Sequence, residues 1–145
     1  MATVVNRRTR ATPGEVYAVL ADGWVYASWV VGASRIRDVG TDWPAPGSTI
    51  DHSFGVWPLL LDDSTQVLES EPDRRVLLQA RGWPAGEATV DVLLEADDEG
   101  TLVTLIEDAT KGPGTLVPQP LRRMVLLPRN VESLRRLCLI AEGRG

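Results

Sequence analysis

Two side chains of this sequence are suited to moving a proton, His52 and Glu107. A histidine titrates near neutral pH, so it can serve as a base, an acid or a polar anchor. His52 lies in the alternating run Ser48 to Val56. Ile50, His52, Phe54 and Val56 share one face of that run, and Thr49, Asp51 and Ser53 share the other. The plainer reading is a hydrogen-bonded or solvated histidine near a strand's end, and a lone histidine with no visible partner favours it. Glu107 falls on the Val103, Leu105, Glu107, Ala109 face of its strand, opposite to Asp108. A buried carboxylate must find a partner or take a raised pKa. Glu107 is therefore either an acid/base or half of a structural ion pair.

Other residues offer binding rather than reaction. Leu127, Val131, Leu134, Cys138 and Ala141 make one apolar helical stripe. Asn130 lies at about 60° from its centre at 100° per residue, and Arg129 lies nearly opposite. Asn130 could bond a ligand oxygen, or it could satisfy the carbonyl that Pro128 frees. Arg129, Glu132, Ser133 and Arg136 read as the solvated side. Trp43, Trp57 and Trp83 each precede a proline at a turn or strand end. Of these, Trp57 and Trp83 are the candidates to stack on a flat ligand, while Trp24 and Trp29 read as core. Cys138, within the stripe, reads as a small buried residue rather than a nucleophile.

What is scarce excludes more than what is common. One cysteine and one histidine allow neither an internal disulfide nor an ordinary zinc site. Lys111 is the single lysine, so Schiff-base chemistry has little to work with. No phosphate-loop, dinucleotide or serine-hydrolase motif occurs. No metal or cofactor is expected. A net charge of -5 argues against a nucleic-acid partner. The longest apolar run, Val56 to Leu61, is far too short to span a membrane, and no secretory signal opens the chain. A cytoplasmic location is the expectation.

The elements that must position these residues follow from punctuation and period. Val4 to Arg10 reads as a strand. Thr12-Pro13-Gly14-Glu15 is a capping box that starts a helix to about Ala21. Trp24 to Val31 reads as a second short helix. Six strands follow, over 34–39, 48–56, 64–70, 75–81, 87–95 and 101–109, parted by Gly, Pro and Asp turns. Thr110 to Pro120 is a loop. A helix over about 121–142 closes the chain, with Pro128 expected to kink or break it. Short connections imply antiparallel neighbours, and the long helix is the natural cover for one face of the sheet. At 145 residues, 43% of them hydrophobic and 24% charged, the chain reads as a single domain, 1–145.

This order resembles the START-like superfamily, and within it the bacterial polyketide cyclase/dehydrase-like SRPBCC proteins. The resemblance rests on Ala11 to Leu20, Trp29-Val30 after Asp22, and Trp43-Pro44-Ala45-Pro46-Gly47. It rests also on Gly100 to Leu105, and on Arg129-Asn130 followed by Glu132-Ser133-Leu134. It implies an α+β helix-grip (START/Bet v 1-like) fold, with about seven curved antiparallel strands wrapped on the C-terminal helix. It also implies a hydrophobic ligand cavity beneath that helix. Ile50, His52, Phe54, Trp57, Trp83, Val90, Val92, Leu105, Met124, Leu127 and Asn130 are the residues expected to line it. No reaction is implied, because such folds include lipid carriers, hormone binders, co-chaperones and cyclases. Three readings stand: a carrier of a small lipid- or polyketide-like ligand, a cyclase/dehydratase using His52 or Glu107, or a closed pocket working through its surface. A homodimer stays open.

Overall fold

A computed structural model describes residues 2–54, 61–83 and 86–144; Trp57 and the side chain of Phe54 lie outside them. The chain opens with strand β1 (Thr3–Thr9) and helix α1 (Pro13–Leu20). The capping box forms as its sequence predicts. The Thr12 side chain accepts from the Glu15 N–H at 3.1 Å, and Glu15 accepts from the Thr12 N–H at 2.8 Å. That satisfies two donors a helix start otherwise leaves open. A single 3-10 turn (Gly23–Val25) and the short helix α2 (Tyr26–Trp29) replace the one helix expected there. Trp29 is buried, whereas Trp24, expected in the core, is 60% exposed because it sits on the outer side of that turn.

Six strands follow: β2 (Ala33–Val39), β3 (Thr49–Phe54), β4 (Leu61–Glu71), β5 (Arg75–Gly82), β6 (Gly86–Asp97) and β7 (Gly100–Lys111). They form one curved antiparallel sheet in the order β1-β7-β6-β5-β4-β3-β2. Each strand from β2 to β7 thus pairs with its sequence neighbour, as short connections require. Only β1 reaches across, closing against β7.

Side chains on the inner face line up in rows across the strands. Val76, Val92 and Leu105 are cross-strand partners, with Val5 at the end of the row. Val67, Leu78, Val90 and Glu107 make the next row. The row after that reads Thr65, Ala80, Ala88, Ala109. Large apolar side chains thus give way to three alanines in register. Gly82 and Gly86 pair just beyond them. A Cβ at Gly86 would collide with the Lys111 carbonyl, so glycine lets the ends of β6 and β7 meet backbone to backbone.

Helix α3 (Gln119–Arg144) lies across this face and continues unbroken through Pro128. Its buried face is Asn130, Ser133, Leu134, Leu137, Cys138 and Ala141. Val131, expected in the stripe, is 50% exposed. Ser133, expected in solvent, is buried and accepts the Val31 N–H at 3.1 Å. The helix is therefore rotated from the register its apolar residues suggest. Leu134, Leu137 and Cys138 join Val16, Val19 and Trp29 in the core against the Val76–Val92–Leu105 row. Burial pushes the Cys138 thiol up to about 11, which keeps it protonated and unreactive.

Candidate functional site

Where the inner face turns to alanine, helix and sheet do not meet. A cavity of about 540 Å³ remains, floored by Ala80, Ala88 and Ala109. The early turns of α3 overhang it through Leu121, Val125 and Leu126, and α2 with its following turn closes the far side through Tyr26 and Val30. Leu121 and Val125 are also largely exposed, so they form the lip of the cavity. Most of the wall is apolar, as small-molecule sites tend to be.

Two polar clusters interrupt that wall. In the first, His52 Nε2 lies 2.9 Å from the Thr65 hydroxyl, and the Tyr26 hydroxyl lies 3.2 Å from the same oxygen. The Tyr26 and His52 rings stack with centroids 5.7 Å apart. Pairing of Ile50 with Thr65 and of His52 with Asp63 across β3 and β4 sets this arrangement. Burial lowers the His52 pKa below its usual 6.5; Arg37 adds to this while Asp63 and Asp51 oppose it. Burial likewise raises the Tyr26 phenol, with the Thr65 bond opposing. At neutral pH the cluster is therefore uncharged. The histidine tautomer decides its direction. If Nε2 accepts from Thr65, Thr65 accepts from Tyr26. If Nε2 donates, Thr65 can donate in turn to the Tyr26 oxygen, which leaves the Tyr26 O–H free to donate to a ligand.

The second cluster is an ion pair. Arg129 Nη1 donates to both Glu107 carboxylate oxygens at 3.3 Å, and Arg129 Nε donates to the Val31 carbonyl at 2.9 Å. The Glu107 side chain is only 9% exposed. The partner that a buried carboxylate needs is thus the arginine expected to face solvent. The rotation of α3 brings Arg129 over the cavity, and its long stem spans the gap to β7.

The other expected residues divide by row. Ile50, Val92 and Leu105 are fully packed in the core, and Val90 and Leu127 pack against it. They do not line the cavity, because it occupies only the alanine end of the face. Met124 is 72% exposed on the outer side of α3, a consequence of the same rotation. Trp83 is turned outward, its indole N–H donating to Glu87 at 3.0 Å. Asn130 is buried but is not on the cavity wall, and among the described residues its Nδ2 has no hydrogen-bond partner, so it does not satisfy the carbonyl freed by Pro128. Tyr26, Thr65 and Arg129 were not foreseen. Among the described residues no group of three His, Cys, Asp or Glu side chains could hold a metal ion, and no helix is long and apolar enough to cross a membrane.

A curved antiparallel sheet gripping a long C-terminal helix over an apolar cavity defines the helix-grip class of START-like proteins. Within it, the chain belongs to the family described as Activator of Hsp90 ATPase homolog 1-like protein, whose model matches residues 10–119. No curated protein matches the chain. Among solved structures, protein NE0264 from Nitrosomonas europaea is similar at a TM-score of 0.75 and 15% identity, over 100% of this chain and 96% of that one. The di-domain ARO/CYC StfQ from the steffimycin biosynthetic pathway gives 0.78 at 13% identity, over 99% of this chain and 51% of that one. The di-domain ARO/CYC BexL from the BE-7585A biosynthetic pathway gives 0.74 at 14%, over 98% and 50%. This chain therefore spans about half the length of each di-domain protein. At these identities the likeness shows the fold alone.

Proposed function

We propose that the protein binds a small hydrophobic ligand, lipid- or polyketide-like, in the cavity under α3. The observation that carries this is the in-register row Ala80, Ala88, Ala109, which leaves about 540 Å³ unfilled beside an otherwise close-packed core. An empty apolar space forfeits packing energy, and a volume of this size suits a small ligand. It also counts against the reading of a pocket filled by its own side chains. The neutral Tyr26–Thr65–His52 chain would give the ligand one hydrogen-bonding anchor without charge.

The test is a titration with N-phenyl-1-naphthylamine, a neutral apolar fluorophore, alongside Ala88→Trp, which places an indole in the cavity. Saturable binding to the native chain, weakened at least about tenfold by the substitution, supports the reading. No binding, or binding that ignores the indole, removes it.

The Tyr26–Thr65–His52 chain also favours a second reading, a cyclase/dehydratase-type enzyme in the same cavity. Its neutral histidine and phenol could exchange a proton with a bound carbonyl compound, and StfQ and BexL are described as ARO/CYC proteins. If His52→Gln and Glu107→Gln both leave turnover of a verified polyketide substrate unchanged, this second reading fails.

A further inference from the structure

The charge on the cavity wall has the opposite sign to the charge on the molecule. The chain as a whole carries -5. Among the described residues that line the cavity, the cations are Arg81, Lys111, Arg122 and Arg129, and the carboxylates are Glu87 and Glu107. Residues 55–60 and 84–85 contain no ionisable side chain, so they do not alter this balance.

Both carboxylates are already spent. Glu87 pairs with Arg81 at 3.4 Å, and Glu107 pairs with Arg129 at 3.3 Å. That leaves Arg122 and Lys111 with no ion pair within 4 Å among the described residues, although Lys111 stands across from Glu87 in the β6–β7 register and its charge acts on that carboxyl. Lys111 ends β7, and Arg122 lies in the early turns of α3. They bracket the segment that forms one lip of the cavity, with Gly114, Val117 and Leu121 between them on the wall. The Arg122 side chain is half-buried at this lip, and among the described residues its Nε has no acceptor. A guanidinium carries five N–H donors, so its outer N–H groups can take an oxyanion at the lip in a charge-assisted, two-point bond.

We infer that the ligand is an amphipathic anion: an apolar body lying on the alanine row, and an oxyacid head held at the lip by Arg122 and Lys111. This rests on the ligand-binding reading above and adds the chemical class of the ligand. A neutral apolar ligand would make no use of the positive lip. A cationic one would meet a wall whose cations outnumber its carboxylates. An anionic head answers both, and its position at the lip keeps it partly hydrated while the body is buried.

The test uses N-phenyl-1-naphthylamine as a neutral reporter, displaced by dodecanoate or dodecyl phosphate below their micelle concentrations, or by dodecan-1-ol below its solubility limit. These competitors share a chain and differ in the head. An anionic competitor should displace the reporter about tenfold better than the alcohol. The advantage should shrink as salt is raised. Whether dodecanoate or dodecyl phosphate wins names the head. Arg122→Gln should remove most of the advantage. Arg123→Gln, the same charge change one residue along but off the cavity wall, should keep it. If the alcohol displaces as well as the anions, or if Arg123→Gln acts as Arg122→Gln does, the anionic head is wrong although the cavity still binds. If the reporter itself does not bind, the ligand-binding reading fails as well.

Discussion

His52 carries the chemistry most sensitive to pH. Its folded-state pKa lies below the ordinary 6.5, chiefly because burial disfavours the charged ring. As pH falls through 6.5 the unfolded chain takes up a proton that the folded chain refuses. Stability is therefore full above that value and is lost as pH drops toward the folded pKa. The urea midpoint should fall between about pH 7 and pH 5, and His52→Gln should flatten that part of the curve. An equally steep curve in the variant would mean that other groups set the slope. The face of His52 was legible in the alternation of its strand, and so was that of Glu107. Their partners were not. Thr65 meets His52 through the β3–β4 register, and no local pattern in β4 marks it out. Tyr26 stacks on His52 from a helix of four residues, too short to show a periodicity.

At the scale of elements, the order of strands and helices was readable because turns and caps are local signals. The rotation of α3 was not readable, for a physical reason. Over its first turns the helix covers a cavity rather than a core, so Leu121 and Val125 stay exposed although they line it. Apolarity therefore does not mark the buried face there, and of the expected stripe Leu127, Leu134, Cys138 and Ala141 face the core while Val131 does not. What fixes the rotation includes polar contacts: Ser133 to the Val31 N–H, and Arg129 to both Glu107 and the Val31 carbonyl. Arg129 thereby ties α3 to β7 and to the turn after α2. Arg129→Met should destabilise by about 2 kcal/mol. That is less than a fully buried pair would cost, because the arginine side chain is 34% exposed. In a double-mutant cycle with Glu107→Gln the coupling should be about 1 kcal/mol. Additive losses would show that the pair does not hold the helix.

Taken whole, the molecule has two ends with different duties. At one end, α1 and the second half of α3 pack onto the Val76–Val92–Leu105 row and supply the core. At the other, the alanine row faces open space. Adding methyl groups there should not overpack anything, since the void takes them, and β-branched residues suit strands. Ala80→Val and Ala109→Val should each change stability by less than about 1 kcal/mol while shortening the longest alkyl chain that displaces a bound fluorophore. A loss of several kcal/mol would mean that the row belongs to the core after all. Positions 65, 80, 88 and 109 then act as a short address written across four strands. Two chains that differ only at those letters would share every feature of the scaffold and enclose cavities of different depth.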